Sequence, residues 1–194
     1  SAQYLGDGPT ALDAYVKALS LDAESLYPLK GIAALKAGDD AGYAALLQKL
    51  AKDVPSNVAV WYFLGWSHQG AGRHAEAARA VETYGQRSAS PNAAFSPLAR
   101  CYAASGKEDE AVKTFERALA ANPRDAVSAD ELDQRLRKRF VSEAVSSVKG
   151  ALECEEAYLR LVKLTEANPL VPNNGAFLLR EAYGRHAGEG AWLP

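Results

Sequence analysis

Small, aromatic and apolar positions recur along this chain at a spacing of 34 residues. Adding 34 to Trp61, Leu64, Gly65, Ala77 and Val81 gives Phe95, Leu98, Ala99, Ala111 and Phe115, the same classes in the same order. Subtracting 34 gives Tyr27, Lys30, Gly31, Tyr43 and Leu47. Gly38, Gly72 and Gly106 fall in phase where a first helix would stop and a second would start. Pro55 and Pro123 stand two periods apart, with Ala89 in phase between them and Pro91 just beyond. A period of this length predicts stacked helical hairpins. The residue types agree on physical grounds. A small side chain lets two helix backbones approach, a large one beside it fills the remaining gap, and proline ends a unit because it cannot continue a helix.

At these residues the chain resembles the tetratricopeptide repeat family, whose pattern is W-x2-L-G-x2-Y, then A-x3-F, then P. Trp61-x2-Leu64-Gly65 matches the opening. Leu98-Ala99-x2-Tyr102, Ala111-x3-Phe115 and Pro123 match the rest, and the run from Gly106 to Ala111 reads like the family's turn into its second helix. His68 stands where Tyr is usual, Tyr84 where the next unit has Ala118, and Lys30 and Tyr43 depart from the pattern in the first of the three units. The resemblance implies an all-α solenoid of the tetratricopeptide type, a right-handed superhelix of antiparallel helix pairs, with about four to five units, the terminal ones partial.

The phase predicts one domain over residues 1–194. It comprises a partial unit at 1–23, regular units at 24–57, 58–91 and 92–125, a helical insert at 126–137, a divergent unit at 138–171, and a capping helix with a tail at 172–194. Gly6, Ala11, Tyr15 and Ala18 carry the spacing of a second helix whose first helix is missing, which predicts that the chain is cut from something longer. In the insert, Ser128 and Glu131 form a capping box, and Leu132, Leu136 and Phe140 follow on one helical face, so the insert should extend the helix that follows it. Asn173-Asn174-Gly175 reads as a turn before a last helix from Ala176 to His186, with Leu178, Leu179 and Tyr183 as its apolar face.

Composition narrows the function classes. With 194 residues, 48% of them hydrophobic, the chain can bury a core. A formal charge of −2 gives no bulk attraction to nucleic acid or to acidic membranes. The uncharged stretch from 54 to 72 holds Pro55, Asn57, Ser67, Gln69 and three glycines, which marks a core helix and not a membrane span. Cys101 and Cys154 lie in different units without metal or redox spacing and read as buried thiols. His68, His74 and His186 are not spaced as metal ligands. Glu153, Glu155 and Glu156 beside Cys154 fall at a helix start, where carboxylates favour the positive end of the dipole. With no phosphate loop and no Ser/His/Asp grouping, the chain should be no enzyme, with no catalytic residue, no cofactor and no metal site. Compartment is not written in the sequence: a cytoplasmic location is favoured, and a periplasmic or membrane-tethered parent stays open.

In the resembled family the first helix of each hairpin lines a concave groove. Carried over by position, groove residues here are Leu29 and Ile32, then Tyr62, Phe63 and Trp66, then Arg100 as a possible anion contact. The polar clamp that some members use for a chaperone's terminal carboxylate is missing, since Pro28, Ile32 and Phe63 occupy its place. Trp61 and Leu64 on the opposite side of the same helix belong to the hairpin core, so this helix is apolar nearly all round and should be covered on both sides. A partner peptide or helix, another part of the parent protein, and self-association are the three candidate covers. A second surface is the run Arg135, Arg137, Lys138, Arg139 around Leu136. It is a solvated face half neutralised by Glu131 and Asp133, or a docking patch for an acidic partner, and it lacks the aromatics that nucleic-acid binding would need. The function read from the sequence is a protein-protein interaction scaffold that binds a peptide or helix of a partner in an apolar, aromatic concave groove. The alternative is a regulatory or targeting arm of a larger protein or enzyme whose own chain fills that groove.

Overall fold

The computed structural model describes residues 8–22, 25–139 and 148–165. Gly6, Phe140, the turn at 173–175 and the expected last helix lie outside the described residues. Every regular element among the described residues is helical: α1 (Gly8–Leu19), α2 (Tyr27–Leu35), α3 (Asp40–Asp53), α4 (Ala59–Gly70), α5 (His74–Arg87), α6 (Phe95–Ala104), α7 (Glu108–Ala121), α8 (Ala126–Arg139) and α9 (Val148–Thr165), with a 3-10 turn at Pro91–Ala94 leading into α6. They fall into two compact units, one through Glu108 and one from Asp109.

In the first unit the 34-residue phase appears directly in the backbone. Gly38, Gly72 and Gly106 have φ of 86°, 71° and 75°, and no other residue described has positive φ. A side chain would strain that left-handed turn, so glycine closes each first helix. At Gly72 and Gly106 the next amide reaches back five residues, Arg73 to the His68 carbonyl at 2.8 Å and Lys107 to the Tyr102 carbonyl at 2.9 Å, which satisfies carbonyls that the helix leaves open. The small residue of the repeat sets close packing. A Cβ built on Gly65 would lie 2.6 Å from Val81 Cγ2, so α4 and α5 meet at a distance that only glycine permits there.

The core of this unit joins four helices. Leu19 of α1, Leu29 and Ile32 of α2, Leu47 and Leu50 of α3, and Val60 and Leu64 of α4 form one buried cluster. Each such side chain contributes roughly 1.5–3 kcal/mol by leaving water. Leu12, Tyr15 and Val16 of α1 pack against it from the side. Asn57 ties the ends together. It is fully buried, its Nδ2 donates to the carbonyls of Leu19 at 3.1 Å and Asp22 at 2.7 Å, and its Oδ1 accepts from the Val60 amide at 3.3 Å. One side chain therefore satisfies the end of α1 and the start of α4. A second cluster gathers Ala77, Ala78 and Val81 of α5 with Ala94, Leu98 and Cys101 around α6.

In the second unit α7 buries Ala111, Phe115, Ala118 and Leu119, and α8 buries Ala129, Leu132 and Leu136. Residues 126–137 are helical as part of α8, but the helix starts at Ala126, so Ser128 is not its cap. Asp125 is: its Oδ1 accepts from the Ser128 amide at 3.1 Å and its Oδ2 from the Ser128 hydroxyl at 2.7 Å. Glu131 pairs instead with Arg135 at 3.1 Å. Asp125 sits two periods after Asn57, and both oxygens accept the amide three residues on.

Candidate functional site

Helix α4 carries the aromatic residues singled out in the sequence, and the structure brings three of them together. The Tyr62 ring centroid lies 5.8 Å from Phe63 and 6.2 Å from Trp66, both edge-on, and 5.3 Å from Tyr84 of α5. Tyr84, which replaces the small residue of the next unit, thus joins the group. Edge-to-face rings of this kind stabilise one another by about 0.5–1.5 kcal/mol per pair. Phe63 also leans on the first core cluster. Trp66 is different, being 43% exposed on an otherwise well-packed helix.

Leu29 and Ile32 do not belong to this surface. Both have 0% exposure, because α1 packs against α2 and closes over the face that the repeat register would leave open. Trp61 is half-buried against the same core, with the Arg87 guanidinium 5.6 Å above its ring. Arg100 is half-buried on α6, and the cation beside Trp66 is Arg73.

Trp66 forms one wall of a cleft of about 650 Å³ between α3 and the end of α4. Tyr43 and Ala44 of α3, Gly70 and Ala71 at the end of α4, and the charged Asp40 and Arg73 also line it. Two residues here break the chain's own repeat. Tyr43 takes the position that Ala77 and Ala111 hold in the following units, and its hydroxyl, buried without a partner among the described residues, is pushed up to about 12 by loss of solvent. His68 takes the position of Tyr102. Its Nδ1 accepts from Arg73 Nε at 3.0 Å, which requires the neutral ring. Burial first, and then the Arg73 charge, lower its pKa from the ordinary value. One period later Lys107 lies 5.7 Å over the Tyr102 ring, so both units set a cation against the aromatic side chain at this position.

Residues 98–125 match the family model of the tetratricopeptide repeat. This stretch matches one tetratricopeptide repeat. Among solved structures, MamA is similar at 16% identity over 80% of this chain and 93% of that one, with a TM-score of 0.50. The nearly identical TPR-like repeats assigned to a Podosopora anserina kinesin light chain align at 18% identity over 79% and 90%, with a TM-score of 0.38. A search of curated proteins gives no match. The fold class is therefore the all-α, tetratricopeptide-like solenoid, and the general role that this repeat supports is that of a protein-interaction scaffold.

The basic run on α8 is largely paired. Arg135 pairs with Glu131 and stacks 5.6 Å over Phe115, Arg137 pairs with the buried Asp133 at 2.6 Å, and Arg139 reaches Asp109 at 3.2 Å. Only Lys138 of the four has no carboxylate partner among the described residues. Cys101 is buried and its thiol is pushed up to about 11 by desolvation, which keeps it protonated and unreactive. Among the described residues no group of three His, Cys, Asp or Glu side chains could hold a metal ion, and no helix is long and apolar enough to cross a membrane.

Proposed function

We propose that the chain binds a peptide or helix of a protein partner on the aromatic surface of α4 and α5, with Trp66 at its centre and Tyr62, Phe63 and Tyr84 as its support. The observation that carries this reading is the 43% exposure of Trp66 on a helix whose other large side chains are at least half covered. A lone exposed aromatic is unremarkable, but this one is held edge-on by Tyr62 and walls a concave cleft. Rigid, partly preorganised aromatics of this kind contribute most of the energy in peptide-binding surfaces. The binding is by shape and apolar burial.

Selection of a displayed random-peptide library tests the reading. The wild-type chain is expected to enrich a common motif, and Trp66→Ala to weaken binding of the selected peptides by about 2 kcal/mol or more. Enrichment that Trp66→Ala leaves intact contradicts the assignment.

A further inference from the structure

We propose that the cleft between α3 and α4 receives a large apolar or aromatic side chain of the partner peptide, and that Arg73 in its lining binds a carboxylate of the same peptide. This deepens the function proposed above and rests on it. Two departures from the repeat bear on the cleft, Tyr43 of the unit 24–57 in its lining and His68 of the unit 58–91 through its bond to Arg73. Where Ala77 and Ala111 are fully buried, the Tyr43 phenol stands as a wall, and where Tyr102 donates to Glu82 at 2.5 Å, His68 turns its Nδ1 to Arg73. Tyr43 lines the cleft directly, and His68 reaches it only through Arg73. Beside Trp66 and Tyr43 the lining is mostly of small residues, Ala41, Ala44, Gly70 and Ala71 among them, and the volume of about 650 Å³ has room for a large side chain.

The charge of the ligand follows from which charged residue of the lining is already satisfied. Asp40 lies in the first turn of α3, where the unpaired amides of the helix favour a carboxylate. It gains little from a ligand cation. Arg73 has no carboxylate partner among the described residues, and its only side-chain hydrogen bond there is the one from Nε to His68. That bond fixes the guanidinium plane and uses one of its five N–H donors, leaving the others for a carboxylate fork. Preorganisation of this kind lowers the entropy lost on binding. The occupant is thus an acidic peptide segment with an apolar anchor, such as Phe or Leu, next to Asp or Glu.

The test continues from the library selection. Selected peptides are expected to pair a large apolar residue with Asp or Glu within one or two positions. The best of them is then titrated by fluorescence anisotropy against wild type, Arg73→Gln and Arg73→Lys, each checked for wild-type melting. Arg73→Gln is expected to weaken binding about tenfold, and Arg73→Lys to weaken it less. The peptide with its acid changed to the amide should bind wild type about as weakly and should no longer respond to Arg73→Gln. Peptides that depend on Trp66 but carry no acidic residue, or that ignore Arg73→Gln, overturn this inference while leaving the scaffold reading standing. A selection that enriches nothing overturns both.

Discussion

His68 shows how a single departure from a repeat can be structural and functional at once. The ring is buried and neutral because its Nδ1 must accept from Arg73, and its folded pKa is lowered. The unfolded chain takes up the proton near the ordinary value of about 6.5, so the stability tied to the neutral ring is fully present above that pH and is lost as pH falls toward the folded value. His68→Gln should therefore flatten part of the fall in melting temperature between about pH 7.5 and about pH 5.5. A variant that loses as much as wild type over that range would show that the ring is not held neutral. The departure itself is legible in the sequence, since His68 and Tyr102 are in phase. Its partner is not, because no spacing rule says that Arg73 rather than Glu76 will face the ring. Asn57 has the same limitation: its phase match with Asp125 is visible, whereas the carbonyls it binds come from 35 and 38 residues upstream.

Among the elements, those bounded by strong local chemistry are the most legible. The helix ends at Gly38, Gly72 and Gly106 follow from glycine's freedom at positive φ, and the close contact of α4 with α5 follows from the small residue at 65. Helix starts are less secure, because several Ser, Asp and Asn residues compete to cap. For α8 the sequence offers the box Ser128-x-x-Glu131, yet Asp125 one turn earlier captures both the Ser128 amide and its hydroxyl. Asp125→Ala should cost about 1 kcal/mol in urea unfolding, whereas Glu131→Ala, which loses only a partly exposed ion pair, should cost about 0.5 kcal/mol or less. The reverse order would restore Ser128 as the cap. The groove residues on α2 illustrate the other failure. Periodicity gives the face of a helix but not what covers it, and α1 turns the face of Leu29 and Ile32 into core.

For the molecule as a whole, the fold class follows from a 34-residue period repeated three times in phase, a signal too long to arise from local propensity alone. The binding surface is harder to read, because core and surface aromatics look alike in sequence: Trp61 and Trp66 lie five residues apart on one helix, and only packing distinguishes them. The central claim is that Trp66 is kept for a partner and not for the fold. Urea unfolding of Trp61→Ala and Trp66→Ala, measured side by side, tests it most directly. Trp61, packed on the first core cluster and covered by Arg87, should cost about 2 kcal/mol or more on truncation. Trp66, nearly half exposed, should shift stability by no more than about 1 kcal/mol. Equal, large losses for both variants would place Trp66 in the core and contradict the account.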